Sequence, residues 1–540
     1  MTVSFTPRHP SAAAEMEWDA WGTADRRKEL GDGVRTLLQQ ALGVDTHRAP
    51  SLAESAVRLL PSRLDTRHRH GLGRIVGPGH VGDDDAARLR HAGGKSTLDL
   101  LRRQDPGPQD APDAVVRPGS HDEVLAVLDY CAGEAIAVVP FGGGTSVVGG
   151  LDPVRDGFDA VVAVDLQRMN ALTDLDPVSG VATLQAGATG PQVEELLGAH
   201  GFSLGHFPQS FRHATVGGFA VTRSSGQASA GYGRFEDMVE HLVVATPSGT
   251  VRAGRAPASA AGPDLRQLFL GSEGLFGIVT EVGVRIHPVP AAVARRAWSF
   301  PDFATGADAL RTLVQTGAVP TVLRLSDESE TAVNLALHEH IGSTAPTGCL
   351  AVTTVEGTAD HVRARAAEVD ALLAATGGTD LGEEPARTWE DGRFDAPHLR
   401  DALLRAGALA ETLETATTWS NLARLRTAVI DALTASLQDQ GTPPLVLCHI
   451  SHTYPTGASL YFTVVCAQAD DPLAQWSAAK RAATDAIVTA GGTVTHHHAV
   501  GRDHRPWMAE EIGTLGTGLL SAVKDAIDPR GILNPGKLLP

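Results

Sequence analysis

Cysteine is scarce in this chain. Only Cys131, Cys349, Cys448 and Cys466 occur in 540 residues, with no C-x-x-C pair among them, so neither a disulfide framework nor a thiolate metal site is indicated. A reduced, cytoplasmic setting is expected. Long apolar runs are missing too: nowhere do about 18 apolar residues stand together, and the opening MTVSFTPRHPSAAAEMEWDAWG lacks a basic head followed by an apolar core, which argues against a spanning helix and a standard secretory signal. Basic residues fall short of acidic ones, 45 against 63, for a formal charge of −18. Such a surplus repels the phosphates of nucleic acid and an anionic membrane face. Two phosphate-loop patterns are absent as well. Val147 stands three places after Gly144, where G-x-G-x-x-G needs glycine, and RHAGGKST has Leu89 five places before Gly94, where a P-loop needs glycine. No internal repeat is visible.

What is present is apolar residue, at 42%, and glycine, at 58 positions. A chain longer than the roughly 250 to 300 residues at which single cores stop growing is expected to divide into domains. Residues 1–105 read as a helical, charged segment in which Leu30, Val34, Leu37, Leu38 and Leu42 recur at helical spacing. From residue 106 a strand, a helix opening near Ser120 and a second strand follow in βαβ order. Strands are expected at 160–166 and 181–188, then a helix with Pro191 at its first position. Ile278, Thr280, Val282, Val284 and Ile286 alternate with more polar neighbours, which predicts a half-buried strand and a boundary near 290. Residues 291–490 mix helices and strands as a second domain, and 491–540 form a closing segment.

The stretch VVPFGGGTSVVGG, residues 138–150, runs an apolar strand into bare backbone. Successive glycines bring N–H groups close to a ligand and shape them into an anion nest, for which phosphate is the natural guest. A tight surface turn is the alternative. Two further glycine and hydroxyl stretches, ATVGGFAVTRSSGQASAGYGRFEDMV and GSEGLFGIVTEV, follow within about 140 residues, which suggests a long ligand with several polar stations. A flavin dinucleotide has that form.

With the closing DPRGILNPGKLLP, these stretches resemble the vanillyl-alcohol-oxidase (PCMH) type of FAD-binding flavoproteins. WDAWG, LRHAGGKSTLDLLR, LRLSD, SHTYPTGASLYF and GGTVTHHHAVG further resemble the alkyldihydroxyacetonephosphate synthase branch, also called alkylglycerone-phosphate synthase. The resemblance spans nearly the whole chain and implies an α+β fold: a two-lobed FAD domain, a separate substrate domain capping the flavin, and a C-terminal tail returning to the FAD side. It implies that Pro140, Phe141, Gly142, Gly143, Gly144, Thr145 and Ser146 wrap the pyrophosphate. Gln209, Ser210, Ala214, Thr215, Gly217, Gly218, Thr222, Ser224 and Ser225 would run beside the ribityl chain and ring, while Glu273, Gly274 and Ile278 would approach the adenosine or ring. Thr and Ser stand where some relatives attach FAD covalently, so non-covalent FAD is expected.

The chemistry is expected on three other stretches. THHHAV reads as a strand with His496 and His498 on one face and His497 on the other; proton transfer, structure or a metal are the choices, and the resemblance argues against a metal. Tyr454 matches the family's active-site tyrosine and suits general acid-base work. Arg324, in an apolar strand, needs an anion: a substrate phosphate or carboxylate, or else Asp327 or Glu328. Arg393, His398 and Arg400 are read as a mobile loop near the site or as solvated residues. Where the synthases carry an acidic pair, this chain has Gln209 and Arg212. The implied activity replaces the acyl chain of acyl-dihydroxyacetone phosphate with a fatty alcohol, the flavin taking up the three-carbon unit and ending each turn oxidised. The alternative is an FAD oxidase or dehydrogenase acting on a hydroxylated anion such as a 2-hydroxy acid. A homodimer is implied, and peripheral membrane contact stays open.

Overall fold

The computed structural model describes residues 5–44, 52–337 and 348–540, and three larger sheets carry its architecture. The first orders Val81–Gly82, Ala114–Val116, Ala160–Asp165 and Ile136–Phe141, the last three parallel. Their Val and Ala runs are buried, as parallel strands covered on both faces require. The crossover helix His121–Gly133 starts where the Ser120 hydroxyl accepts from the Glu123 N–H.

The second sheet is antiparallel, in the order Gly249–Ala253, Val239–Thr246, Ile278–Arg285, Val181–Gln185 and Leu172–Asp176. Ile278–Arg285 is central and buried on both faces rather than half-buried: Val279 and Gly283 are covered as fully as Ile278 and Val282. The helix Gly190–Gly198 puts Pro191 second, after Gly190.

The third sheet has eight strands and spans 292–467, with Val322–Ser326 beside Leu445–Ile450, and Gly457–Ala467 between Leu445–Ile450 and Ala408–Thr418. Helices including Leu422–Asp439 and Pro472–Thr489 cover it, and Leu310, Leu425, Leu433, Phe462 and Trp476 close a second core. This lobe and the two-sheet lobe form the α+β arrangement, with the C-terminal residues crossing back: Val138 donates to Ile532 O at 2.8 Å and Asn534 donates to Val138 O at 2.7 Å.

The first hundred residues are less helical than their pattern implies. The helix Asp32–Leu42 begins after Leu30, Leu38 packs with Val44 and Ala402, and the Leu37 side chain lies outside the described set. Residues 17–22 form a turn closed by the Glu17 N–H on Gly22 O at 2.8 Å. Trp18 and Trp21 are buried, Lys95 donates to the Glu17 and Trp18 carbonyls, and Arg103 donates to the latter at 2.7 Å. The stretch 383–421, in which Arg393, His398 and Arg400 are expected in a mobile loop or solvated, holds the helices Glu384–Gly392 and Ala396–Arg405 and the strand Ala408–Thr418. His398 is buried there and Arg393 and Arg400 are half-buried. Arg400 donates to Asp401 at 2.8 Å and to Lys95 O at 2.6 Å.

Candidate active site

The glycine stretches meet at the junction of the first two sheets. A Cβ on Gly142 would collide with the Thr215 hydroxyl, and one on Gly143 with the His213 carbonyl, so bare backbone at these two places lets the loop press against 213–218. On Gly274 a Cβ would come within 2.6 Å of Pro140. Gly144 has φ +70°, in the left-handed region open to glycine. Among the described residues, no backbone N–H from Gly142 to Ser146 donates to a protein acceptor. Such a row of free donors is what an anion nest presents. The segment 209–227, whose residues 213–218 the loop presses on, carries buried polar atoms without partners: Gln209 Nε2, both ring nitrogens of His213, Ser225 Oγ and Gln227 Oε1. Buried polar groups are ordinarily bonded, so these residues fit a large polar cofactor.

The other expected cofactor residues divide. Thr215 caps the helix Val216–Val221 by accepting from Gly218 N–H at 3.3 Å, which brings Ala214, Gly217 and Gly218 to the loop. Thr222 donates to Gly218 O at 2.8 Å, and Ser224 pairs with the buried His206 at 3.0 Å; Ser210 supplies its carbonyl to His213 and Ala214. Glu273 is a latch: its carboxylate accepts from Val500 N–H at 2.7 Å and Gly501 N–H at 2.8 Å. Burial pushes that carboxyl up to about 7 against those two N–H groups. Ile278 packs inside the lobe core.

The chemical residues gather on the third sheet, in two clusters. Around Arg324 the partner is neither Asp327 nor Glu328, which both face Arg426. Arg324 instead donates to Glu330 at 3.0 Å, and His449 stands 2.9 Å from the same carboxylate oxygen. Residue 330 lies just beyond the expected candidates, and Glu328–Leu337 is a helix that swings it back over the strand. Burial works to raise the Glu330 carboxyl, but the His449 ring and the Arg324 guanidinium hold it well below the usual carboxylate range. His449 is pushed down by burial and by Arg324.

The second cluster corrects the expected His strand. Residues 494–500 are not a strand. They curl around the fully buried Glu414, whose carboxylate accepts from the backbone N–H groups of His496 (2.6 Å), His497 (3.1 Å) and His498 (2.9 Å) and from the Thr495 hydroxyl (2.6 Å). Burial would raise this carboxyl; the crowding histidine rings and these donors hold it well below the usual range. Three N–H groups converging on one carboxylate abolish strand alternation, so the rings of His496 and His497 meet, Nδ1 to Nδ1, at 2.9 Å. Tyr454 Oη is 2.6 Å from His496 Nε2, and His452 stacks on His496 with centroids 5.0 Å apart. Burial and the neighbouring rings hold His452 and His496 well below the ordinary imidazole value, and burial pushes His498 down to about 3. Ring nitrogens of His452, His496 and His497 lie within 4.8 Å of one another. With the rings neutral, both hydrogen bonds are satisfied in either sense: Tyr454 donates to His496 Nε2 while His496 Nδ1–H donates to His497 Nδ1, or, with the tautomers reversed, His497 donates to His496 and His496 to Tyr454. That is a chain for moving a proton.

Tyr461 joins the clusters. Its ring stacks on His449 at 4.7 Å and on His497 at 5.9 Å, and burial pushes its phenol up to about 12. Sequence reasoning missed Glu330, Glu414, His449 and His452 as partners. The alternation of β-strands gave one usable signal: His449 and Tyr461 are opposed on neighbouring strands.

Comparisons agree with this architecture. Residues 112–254 match the family model described as FAD binding domain, and residues 289–538 the one described as FAD linked oxidases, C-terminal domain. A solved p-cresol methylhydroxylase shares the fold, with TM-score 0.66 at 17% identity over 89% of this chain and 98% of that one. The chain is thus an FAD-dependent enzyme with the two-lobed PCMH-type fold and a cap. Within that class its relatives are specific. The alkyldihydroxyacetonephosphate synthase of Dictyostelium discoideum is 34% identical over 86% of this chain and 79% of its own length, and that of Trypanosoma brucei brucei 33% identical over 98% and 93%. A solved alkyldihydroxyacetonephosphate synthase superposes with TM-score 0.84 at 30% identity, covering 97% of this chain and 99% of that one. The chain belongs to the alkyldihydroxyacetonephosphate synthase family.

Proposed function

We propose that this enzyme converts an acyl-dihydroxyacetone phosphate and a fatty alcohol into the alkyl ether and a free fatty acid. The bond between the three-carbon unit's carbon and the ester oxygen breaks, that carbon bonds to the alcohol oxygen, the acyl chain leaves with the ester oxygen as carboxylate, and the alcohol's proton is released, so that no net oxidation occurs. The observation that carries this reading is the placement of an anion anchor, Arg324, and a neutral proton chain, Tyr454–His496–His497, on either side of the Tyr461 ring.

In this reading Arg324 holds the substrate phosphate with its planar fork, while Glu330 keeps the guanidinium aimed. Tyr454 exchanges a proton with the reacting carbon or the alcohol, and passes it through His496 Nε2 and Nδ1 to His497. The Glu414 cradle keeps the rings in register. Bound FAD supplies the electron-accepting ring against which the three-carbon unit reacts. Gly142 to Ser146, Gln209, Ser210, Ala214, Thr215, Gly217, Gly218, Thr222, Ser224 and Ser225 hold it without a covalent bond, since Thr145 and Ser146 occupy the loop. Pro140 and Phe141 lead into that loop, Glu273 and Gly274 brace it, and Ile278 acts through packing. All four cysteines are buried and free, which suits a reducing, cytoplasmic setting. A homodimer rests on the resemblance alone. No helix among the described residues is long and apolar enough to cross a membrane, and peripheral contact would suit an acylated substrate.

The test is spectroscopic. Mixed anaerobically with acylated dihydroxyacetone phosphate and a fatty alcohol, the holoenzyme should form ether without lasting bleaching of its flavin band. If those compounds give no product while a 2-hydroxy acid bleaches the flavin stoichiometrically, the enzyme is an oxidoreductase instead.

A further inference from the structure

One charged side chain beside the proton chain has no role so far. Arg234 follows the glycine-rich stretch and opens the short helix Phe235–Met238. Its side chain is 19% exposed, and its contacts run in three directions. Nη2 donates to His496 O at 2.8 Å and to Arg223 O at 2.9 Å, joining the histidine loop to the segment that holds Thr222, Ser224 and Ser225. Nε pairs with Glu236 at 3.0 Å. Tyr454 bonds the ring of the same His496 whose carbonyl Arg234 holds, and from there the guanidinium's charge favours the phenolate against the burial that pushes the phenol up to about 12. Arg223, whose carbonyl Arg234 holds, has φ +49°, a conformation costly for a side-chain-bearing residue and kept only where its surroundings impose it.

We propose that Arg234 is a positioning residue of the reaction centre: it pins the His496 carbonyl to the flavin-side segment and sets a permanent positive charge beside Tyr454, stabilising the phenolate formed when the proton moves. This rests on the reading of Tyr454 as the proton-handling group. The charged and titratable groups facing Tyr454 are Arg234, Glu236 and Asp237 from residues 234–237, His496 from the C-terminal loop, with His497 behind it, and His452 from its own hairpin. With the histidines neutral, Arg234 is the cation among these described residues, and Glu236 and Asp237 oppose it, Glu236 being shared with Arg223 at 3.8 Å. An opposite charge a few ångströms away shifts a titration by about 1 to 3 units, so this balance decides where the phenol titrates.

The experiment needs no substrate, so its outcome is independent of which reaction the enzyme performs. The holoenzyme carrying 3-fluorotyrosine at position 454 is titrated by fluorine NMR. Arg234→Met should raise the phenol midpoint by about 1 unit or more, and Arg234→Lys should restore most of that shift. Glu236→Gln, which removes the opposing carboxylate and leaves Arg234 in place, should lower the midpoint. Midpoints of Arg234→Met and the parent that coincide, with flavin absorbance retained, overturn the proposal. If Arg234→Met does not fold, an unmoved midpoint in Glu236→Gln overturns it.

Discussion

The two polar clusters on the third sheet sit on either side of one tyrosine ring and are built by opposite rules. Around Arg324 the solution is charge against charge: a guanidinium and a buried carboxylate at 3.0 Å. Along the path from Tyr454 through His496 to His497 charge is withheld from the path itself, with buried rings kept neutral and bonded to one another, while the fixed charges of Glu414 and Arg234 are spent on backbone groups beside it. The first suits holding an anion that does not change during reaction. The second suits a proton that must move, because a neutral chain can pass it without parting fixed charges in a low dielectric. Net charge near a site therefore says less about its task than whether the charges are locked.

The largest test of the contrast is Tyr454→Phe, which removes one hydroxyl from the chain. The rate of ether formation should fall by roughly 10² to 10⁴, the scale of positioned proton transfer, with flavin content unchanged in the absorbance spectrum. A fall below tenfold would place proton transfer elsewhere. Next, Glu414→Leu leaves three N–H groups without their acceptor; thermal or denaturant unfolding should show a loss of about 3 to 5 kcal/mol, as when one side of a buried charged network is removed. Unchanged stability would mean that the histidine loop is held by packing alone. Arg324→Lys keeps the charge and loses the fork, so KM for the phosphorylated substrate should rise about tenfold with FAD retained, the size of a hydrogen bond to a charged group. A fall in kcat at unchanged KM would count against anion binding.

The smallest effect separates the imidazoles from the carboxylates by pH. The imidazoles of both clusters, His449 included, lie below the unfolded value of about 6.5 because burial disfavours their charged forms. The unfolded chain takes up more protons there, so their contribution is complete above about pH 6.5 and is lost as pH falls below it. Glu330 and Glu414 are also depressed, and their contribution is complete above the unfolded carboxyl value of about 4.3 and is lost as pH falls below that. Melting temperature against pH should thus decline in two stages. His452→Gln should soften the first and Glu330→Gln the second; a crossed pattern would reverse the assignment.

Much of the fold was legible in the chain because its signals are local. Ser120 marks a helix start, the Val and Ala runs mark buried strands, and the glycines mark the loop that presses on Thr215 and His213. Arg324 and the histidines were visible as residue types out of place in apolar or repeated surroundings, and Tyr454 through the family resemblance. Their partners were not. Glu414 and His496 are 82 residues apart, and nothing in THHHAV indicates that three N–H groups will turn toward a distant carboxylate, so period-two reasoning assigned a strand where a buried charge imposed a curl. The Arg324 partner was misjudged for a related reason: nearness in sequence favoured Asp327 and Glu328, while the helix geometry brought Glu330. For Ile278 the alternation was real, but a central strand between two others buries both faces.

The crossing-back of the last residues bears on how the molecule is made. Ile532 and Asn534 complete the bonding of Val138, Asn534 donates to Glu273 O at 2.6 Å, and Lys537 donates to Asp152 O at 2.6 Å. Every one of these links spans more than 250 residues of chain. The cap, whose strand pairings lie between 292 and 467, can assemble while synthesis continues. The dinucleotide lobe precedes it in sequence but lacks its final bonds until residue 537 has emerged, and loop closure over such a distance is slow. The lobe translated first is therefore the lobe finished last, and a ribosome stalled short of residue 530 would carry a closed cap beside an unsealed cofactor site.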